Sequence, residues 1–299
     1  MQSNVNDSQR VVGILGFGYS ASYFAKLLLK NGIKVWGTTS STQKCNIYKD
    51  IKLISFDSIE VPSYIKKSTG LLVSIPPEEN QDLVLARYAE QIISTAINIS
   101  WIGYLSSTSV YGDHGGNWVD ESSTCSPTYL RSISRLKIEQ QWLEFALEHK
   151  LPLTVFRLSS IYGPHRSAIE KVHNRKSVTI ARTGHLISRI HVIDIARALY
   201  LSFKKPNTNE IYNLSDDHPE NTVVIDNYAA ELLNVPPLKV INYNSLNSTQ
   251  TIRGFYQDFK QVSAQKIKTS LGLNLKFPTY KNGLNHCYNE FFEKNSRPY

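Results

Sequence analysis

An α/β fold, a doubly wound parallel sheet with helices on both faces, is predicted by two features of the sequence. Apolar runs rich in β-branched residues alternate with amphipathic helical stretches over the first two thirds of the chain. Strands that are buried on both faces have this continuous apolar character, and their alternation with helices is typical of parallel sheets. The second feature is a glycine-rich turn directly after the first apolar run, at the end of a strand where such sheets bind ligands.

In chain order, six apolar runs are predicted strands: VVGILG at 11, IKVWGT at 33, IKLISF at 51, GLLVSIP at 70, ISWIGYLSS at 99 and PLTVFRLS at 152. Three predicted helices lie between them, namely SASYFAKLLLKNG, LVLARYAEQIISTA and SISRLKIEQQWLEFALEHK. One further helix and strand are predicted at HVIDIARALYLSF and EIYNLS. After residue 164 the alternation weakens, which indicates a main domain followed by a smaller C-terminal part.

The length and composition are compatible with this organisation, because 299 residues with 41% hydrophobic side chains can bury a core. We predict a disordered polar N-terminus at 1–10, a main domain at 11–221 and a small C-terminal substrate subdomain at 222–299. Residues 165–188 are expected to contribute to the substrate side of the main domain.

A cytoplasmic location is predicted, because the first ten residues lack the apolar run of a signal peptide and no stretch approaches the ~20 apolar residues of a membrane span. Cys45, Cys125 and Cys287 are odd in number and have no paired spacing. We therefore expect three reduced thiols, with neither a disulfide framework nor a metal site.

The net charge of +8 permits a nucleic acid, an acidic surface or an anionic small molecule as partner. The basic residues are scattered through predicted helices and strands, without a basic tail or a nucleic-acid-binding motif. Nucleic acid is therefore not expected, and a phosphate-bearing ligand stays open.

A dinucleotide site is predicted at GFGYSA, where Gly16, Gly18 and Ala21 match the pattern G-x-G-x-x-[GA] between a strand and a helix. The first glycine permits the tight turn, the second lets a pyrophosphate approach, and the helix N-terminus attracts the anion. An ordinary tight turn is the alternative. The predicted cofactor-binding residues of this Rossmann-type turn are Gly16, Phe17, Gly18, Tyr19, Ser20 and Ala21.

The end of the second strand, GTTSSTQK, carries no acidic residue for the ribose hydroxyls of NAD. The hydroxyls of Thr39, Ser40 and Ser41, helped by Lys44, could hold a 2′-phosphate, so NADP is favoured over NAD. The absence of an arginine keeps NAD open, and a plain Ser/Thr-rich turn is the alternative. Asp57 could contact the adenine or be an exposed turn residue.

Five segments together resemble the extended short-chain dehydrogenases/reductases, the NAD(P)-dependent sugar-nucleotide epimerase/dehydratase group, and more closely an atypical branch of it. They are YLSSTSVYGD at 104, VFRLSSIYGPHR at 155, SRIHVIDIARAL at 188, IYNLSDDHP at 211 and FPTYKNGL at 277. The resemblance covers nearly the whole chain in the family's order. It implies an NAD(P)-dependent hydride-transfer site and a homodimer.

The resemblance places a substrate-binding hydroxyl at Ser107, for which a strand-end serine that satisfies a neighbouring carbonyl is the alternative. It also implies a loop beside the nicotinamide at Ile161 to Pro164. The further cofactor contacts that it implies are Ser74, Ile75, Pro76, Ser106, Tyr162, Gly163 and Pro164.

The family's Tyr-x-x-x-Lys pair is missing, because counting back from Glu139 puts Arg135 at the lysine and Arg131 at the tyrosine. Tyr129 and Lys137 cannot replace the pair, since eight residues span about 12 Å of helix. A guanidinium stays protonated and cannot act as general acid/base. The two arginines could clamp an anion; alternatively, Arg135 pairs with Glu139 and Arg131 is solvated.

Tyr111 and Tyr162 are further candidates for the proton donor. Arg166, Arg189 and His191 are predicted to contact an anionic substrate, although His191 could equally be a packed structural residue. Arg175 and Arg182 belong to the same basic region. The sequence thus predicts an NADP-leaning oxidoreductase or epimerase/dehydratase-like enzyme for a small anionic substrate such as a sugar nucleotide. The alternative is a non-catalytic NAD(P)-binding protein.

Overall fold

The computed structural model describes residues 10–41, 47–78, 80–175, 178–245 and 256–295. Most of the predicted disordered N-terminus at 1–10 lies outside these residues, as do Lys44 and Cys45. Among the described residues, no helix has the length and apolar character needed to cross a membrane.

The main sheet contains seven parallel strands, in the order β11-β7-β5-β4-β1-β2-β3. Its strands are β1 (Val11–Leu15), β2 (Lys34–Thr38), β3 (Lys52–Ile54), β4 (Gly70–Val73), β5 (Trp101–Ser107), β7 (Leu153–Leu158) and β11 (Glu210–Leu214). All six predicted apolar runs and the EIYNLS segment lie in this sheet. Every residue of β4 is buried, which is why this segment is apolar without alternation.

Helices cover both faces of the sheet, so the predicted doubly wound α/β fold is confirmed. The helices of the described residues are α1 (Tyr19–Lys30), α2 (Val61–Lys66), α3 (Leu83–Ser94), α4 (Leu130–Glu148), α5 (Ala168–Asn174), α6 (Val192–Lys204), α7 (Thr222–Leu233), α8 (Gln265–Leu271) and α9 (Tyr280–Asn295). Phe24 of α1 and Phe203 of α6 pack in one apolar layer, whereas Tyr88 of α3 and Trp142 of α4 pack in the other.

The short helix α2 is absent from the sequence prediction. It has six residues and a proline at its start, and it buries only Val61 and Ile65. A segment this short shows little helical periodicity, so burial against the neighbouring helix determines its structure.

The remaining strands form three small parallel pairs. They are β8 (Ser160–Tyr162) with β10 (Arg189–His191), β9 (Thr179–Ala181) with β12 (Val240–Asn242), and β6 (Trp118–Val119) with β13 (Gln261–Val262). A third apolar cluster joins Tyr162 and Ile169 to Ala229 of α7 and Leu284 of α9. Since β8 directly follows β7, this cluster lies beyond the carboxyl edge of the sheet.

Candidate functional site

The turn after β1 lies where the strand order reverses between β1 and β4, the position at which open α/β sheets bind ligands. Gly16 has φ +100°, and its N–H donates to Thr38 Oγ1 at 3.0 Å. A Cβ on Gly16 would lie 2.7 Å from Ile75 Cγ1 and 2.9 Å from Ile75 N. The structure thus brings the glycine turn against Ser74 and Ile75 at the end of β4, and only glycine fits there.

The second glycine of the turn leaves open space at the N-terminus of α1. Gly18 is the N-cap residue, with an ordinary φ of −94°, and a Cβ there would meet no atom within 4 Å. It has no side chain to cap the first N–H groups of α1, which begins at Tyr19. Phe17, Ser20 and Ala21 are buried. An anion can therefore approach the helix N-terminus over Gly18.

At the end of β2, Thr38 is 1% exposed and accepts a hydrogen bond from the glycine turn. The hydroxyls that a ligand could contact belong to the residues that follow Thr38. Thr39 is half-buried and its Oγ1 accepts from Ser41 N at 3.1 Å, while Ser40 is exposed. Asp57 lies beyond the edge strand β3, where its exposed carboxylate pairs with Arg87 at 2.9 Å.

The two arginines at the positions of the missing pair differ in their environment. Arg135 is half-buried and its Nη1 donates to the Leu105 carbonyl of β5 at 3.2 Å. Arg131 is exposed, and its side chain forms no hydrogen bond or ion pair with the described residues. The alternative interpretation, an ion pair between Arg135 and Glu139, is wrong, because Glu139 faces the sheet and binds Arg157 of β7 at 2.6 Å.

The serines at the end of β5 point in different directions. Ser106 is buried and donates to Glu139 Oε2 at 2.5 Å. Ser107 is half-buried, and its Oγ accepts from Ser109 N at 3.1 Å at the start of a 3-10 helix. The Ser107 hydroxyl proton is therefore free to be donated elsewhere.

Tyr111 is fully buried at the end of the same 3-10 helix. Its hydroxyl donates to Asn213 Oδ1 at 2.8 Å, and burial raises its pKa to about 12. The prediction that Tyr111 supplies a proton to a substrate is contradicted by this placement, since the hydroxyl is enclosed and already bonded.

A cavity of about 450 Å³ lies between the loop after β7 and the C-terminal helices. Two predicted substrate residues, Arg166 and Arg189, line it together with Tyr162. Arg189 is 8% exposed and its Nη1 donates to the carbonyls of Ile187 and Glu220, both at 2.7 Å. These two bonds fix one end of the guanidinium in the wall of the cavity.

Two carboxylates of the cavity wall are already bonded within the protein. Asp226 accepts from Lys171 Nζ at 2.5 Å and from Thr179 at 2.7 Å, while Glu170 accepts from Ser167 Oγ at 2.5 Å.

The C-terminal side of the wall was missed by the sequence prediction, because single polar residues in amphipathic helices form no motif. It consists of Thr222, Ile225, Asp226, Tyr256, Tyr280 and Leu284.

The other two arginines of the basic region do not line the cavity. Arg175 donates to the Pro236 carbonyl at 3.0 Å. Arg182 donates to the Tyr256 carbonyl, and its guanidinium lies 4.3 Å from the centre of the Phe259 ring. Both side chains bind groups of the protein itself, so these contacts give no support to the expectation that they favour an anionic substrate.

His191 is fully buried, which contradicts its predicted contact with a substrate. Its Nδ1 accepts from Ile193 N at 3.2 Å at the N-terminus of α6, and its ring packs on Phe277 at 4.0 Å. Burial lowers its pKa to about 3. The alternative interpretation, a packed structural histidine, therefore fits its environment.

His191 also lies near His286 and Cys287, and one ligand atom from each falls within 4.8 Å of the others. Because Nδ1 of His191 accepts a hydrogen bond, the proton of the neutral ring is on Nε2, which faces Cys287 Sγ at 4.0 Å. That nitrogen is a donor in this arrangement and not a metal ligand. Burial raises the pKa of Cys287 to about 12, so its thiol is protonated.

Fold and site together define a Rossmann-fold protein with open space at the N-terminus of α1 and a cavity whose lining includes Arg166 and Arg189. Residues 83–215 match the sequence profile of the NAD dependent epimerase/dehydratase family. This match confirms the predicted resemblance to the extended short-chain dehydrogenases/reductases over the matched residues, which are less than half of the chain.

Individual relatives agree with this assignment. A human protein, dTDP-D-glucose 4,6-dehydratase, is 27% identical over 139 residues, 44% of this chain and 39% of the human one. The matches span between 34% and 55% of the lengths of the curated relatives.

Two solved structures illustrate the likeness of the whole chain. The first, a functionally unknown conserved protein from Silicibacter pomeroyi DSS, is 35% identical with a TM-score of 0.89, covering 94% of this chain and 99% of the other. The second, dTDP-glucose 4,6-dehydratase from Bacillus anthracis in complex with NAD, is 17% identical with a TM-score of 0.77, covering 96% and 97%. The second likeness concerns the fold alone.

Proposed function

We propose that the protein binds NAD(P) in the crevice at the start of α1 and acts as an epimerase/dehydratase-like oxidoreductase on a sugar nucleotide. The observation that carries this proposal is the open space over Gly18, where the first N–H groups of α1 have no capping side chain. A pyrophosphate is the group that such an uncapped helix N-terminus, preceded by a glycine turn, accepts. The family profile and the NAD complex of the dehydratase from Bacillus anthracis support this cofactor.

The residues around the crevice fit a dinucleotide. Gly16 and Gly18 would approach the pyrophosphate, while Ser74, Ile75 and Pro76 would border it from β4. Bound nicotinamide would accept or supply a hydride. Ser107 would donate its hydroxyl proton to a substrate oxygen, because its oxygen already accepts from Ser109 N.

NADP is the favoured form of the cofactor. Thr38 is buried, so its hydroxyl is out of reach of a ligand, and no acid follows it in the described part of this turn. The next hydroxyls, on Thr39 and Ser40, could donate to a 2′-phosphate, which an acidic side chain would repel.

An anionic substrate such as a sugar nucleotide suits the cavity. Its volume of about 450 Å³ is within the range of small-molecule sites. The side chains of Arg166 and Arg189 line it, whereas the carboxylates of Glu170 and Asp226 are bonded to neighbouring groups. Because the human relative is a dTDP-D-glucose 4,6-dehydratase, dTDP-D-glucose is the first sugar nucleotide to test.

A non-catalytic NAD(P)-binding protein is the second candidate. It is favoured by the arginines at 131 and 135 and by the enclosed hydroxyl of Tyr111, since none of these can transfer a proton to a substrate. The double variant Arg131→Tyr, Arg135→Lys distinguishes the two candidates. If the wild type is inactive and the double variant is active, the protein has lost an ancestral reaction.

Gly18→Ala tests the cofactor site. The ordinary φ of Gly18 and the surrounding space admit a methyl group, so we expect an unchanged free energy of unfolding but a loss of NADPH and NADH binding, measured by fluorescence. Unchanged binding in Gly18→Ala, or no binding of either cofactor by the wild type, would contradict the proposal. Turnover with dTDP-glucose and UDP-glucose then tests the reaction.

We propose a homodimer, a cytoplasmic location and a substrate subdomain that begins near residue 222. Light scattering of the purified protein measures the first of these, and limited proteolysis between 215 and 222 tests the domain boundary.

A further inference from the structure

Tyr19 connects two segments that are 145 residues apart in the sequence. It is the first residue of α1, and its hydroxyl donates to the Pro164 carbonyl at 2.8 Å. Burial raises the pKa of Tyr19, so the hydroxyl keeps its proton and remains a donor. One side chain therefore joins the start of α1 to the loop that follows β8.

The segment that Tyr19 holds is a closed turn. Gly163 N donates to the Arg166 carbonyl at 3.2 Å, and Arg166 N donates to the Gly163 carbonyl at 3.0 Å. Immediately afterwards, Ser167 and Glu170 form a capping box at the start of α5, and Glu170 also accepts from His165 N at 2.6 Å. The turn and the first residues of α5 are thus linked by hydrogen bonds and should move together.

The turn approaches α1 closely because residue 163 has no side chain. A Cβ on Gly163 would lie 2.6 Å from the Tyr19 hydroxyl and 2.6 Å from Val192 Cγ1. The last residue of the turn, Arg166, places its guanidinium carbon 5.6 Å from the centre of the Tyr19 ring. Arg166 also lines the cavity, so Tyr19 contacts a cationic residue of the cavity wall.

We infer that Tyr19 couples the crevice at the start of α1 to the cavity, so that each ligand strengthens the binding of the other. The inference rests on the proposed function, which assigns the cofactor to the crevice and an anionic nucleotide to the cavity. A pyrophosphate over Gly18 holds the backbone at Tyr19, and the Tyr19 hydroxyl then holds the turn that presents Arg166. The coupling is reciprocal by thermodynamic linkage.

The size of the effect follows from the contact that transmits it. One neutral hydrogen bond contributes a net free energy equivalent to a roughly two- to tenfold change in affinity. Saturating NADPH should therefore lower the dissociation constant of dTDP-glucose by roughly this factor. Removal of the hydroxyl should make the two ligands bind independently.

The test is calorimetric titration with dTDP-glucose, with and without NADPH, for the wild type, Tyr19→Phe and Tyr228→Phe. The control variant also loses a hydroxyl that joins two helices, since Tyr228 accepts from Asn285 Nδ2 at 3.0 Å, but Tyr228 does not line the cavity. We expect coupling in the wild type and in Tyr228→Phe and none in Tyr19→Phe. Hydrogen exchange of residues 163–170 gives a second readout, slowed by NADPH in the wild type but not in Tyr19→Phe.

The outcomes separate this inference from the proposed function. If both ligands bind and Tyr19→Phe leaves the coupling and the exchange pattern unchanged, the inference is wrong and the proposed function stands. If NADPH binds but dTDP-glucose does not, the inference is tested by hydrogen exchange alone: NADPH should slow the exchange of residues 163–170 in the wild type but not in Tyr19→Phe. If neither NADPH nor NADH binds, both the proposed function and the inference fail.

Discussion

Glu139 of α4 and Arg157 of β7 form an ion pair of 2.6 Å inside the protein, where 1% and 6% of their side chains are exposed. Ser106 donates to the same carboxylate at 2.5 Å. The pair thereby fixes α4, which carries Arg131 and Arg135, against the carboxyl ends of β5 and β7. Its geometry determines where the two arginines face.

Replacing Glu139 by Gln should strongly destabilise the protein, because Arg157 would keep its charge without a buried counterion. The expected loss is about 3–5 kcal/mol in the free energy of unfolding, measured by urea denaturation. Glu139→Gln combined with Arg157→Met should lose less than the sum of the single variants. Additive losses would show that the two side chains do not interact as the structure indicates.

Arg131→Ala should leave stability within about 0.5 kcal/mol of the wild type, because its side chain is exposed and has no partner among the described residues. If Arg131 binds an anion, dTDP-glucose should bind roughly tenfold more weakly at low salt, with a smaller difference at high salt. Lys137→Ala, an exposed cation on the same helix, is the control. Equal affinities in both variants would favour a merely solvated arginine.

Arg135→Ala should behave differently, because its guanidinium donates to the Leu105 carbonyl of β5. We expect a loss of about 1 kcal/mol in the free energy of unfolding, the typical contribution of one such bond. A loss no larger than that of Arg131→Ala would indicate that the bond to the strand is unimportant.

Asp216 should make the stability depend on pH. It is 1% exposed, its Oδ1 accepts from His218 N at 3.2 Å, and its Oδ2 has no hydrogen-bond partner among the described residues. Burial raises its pKa from 3.8 to about 7. Between these values the native state binds more protons than the unfolded chain, so the free energy of unfolding falls as pH rises from 4 to 7.

Asp216→Asn removes this titration. In the wild type we expect the free energy of unfolding to fall by on the order of 3 kcal/mol across that pH range, and in the variant we expect no such fall. Denaturant unfolding at a series of pH values measures both. The slopes of the free energy of unfolding against pH are compared, and not its absolute values, because the substitution also removes a charge near Arg189. Parallel slopes in the two proteins would mean that Asp216 titrates near its ordinary pKa in the folded state.

Local patterns were sufficient to predict the sheet. Each residue of β4 is buried, and the amphipathic stretches at α1, α3 and α4 are long enough to show their period. The glycine turn was recognisable because its requirements are local: a positive φ at Gly16 and open space at Gly18.

Contacts between distant segments could not be predicted in the same way. Glu139 lies four residues after Arg135, a spacing that suggested an ion pair within the helix, yet its partner is Arg157 on a strand. Tyr111 and His191 lie in family-like motifs, but both are fully buried and bonded within the protein. Burial of a particular side chain depends on tertiary packing, which spacing along the chain does not encode.

Thr39→Asp should change the choice of cofactor. Thr38 is buried and uses its hydroxyl for Gly16 N, so Thr39 is the first residue after β2 with a half-exposed side chain. A carboxylate there would accept from the ribose hydroxyls of NADH and repel the 2′-phosphate of NADPH. We expect the ratio of NADPH to NADH affinity, measured by fluorescence titration, to fall by about tenfold or more.

Thr39→Asn is the matched control, since asparagine has nearly the same shape as aspartate without the charge and should change the ratio less. A ratio that is the same in all three proteins would place the adenosine ribose away from Thr39 and remove the argument for NADP.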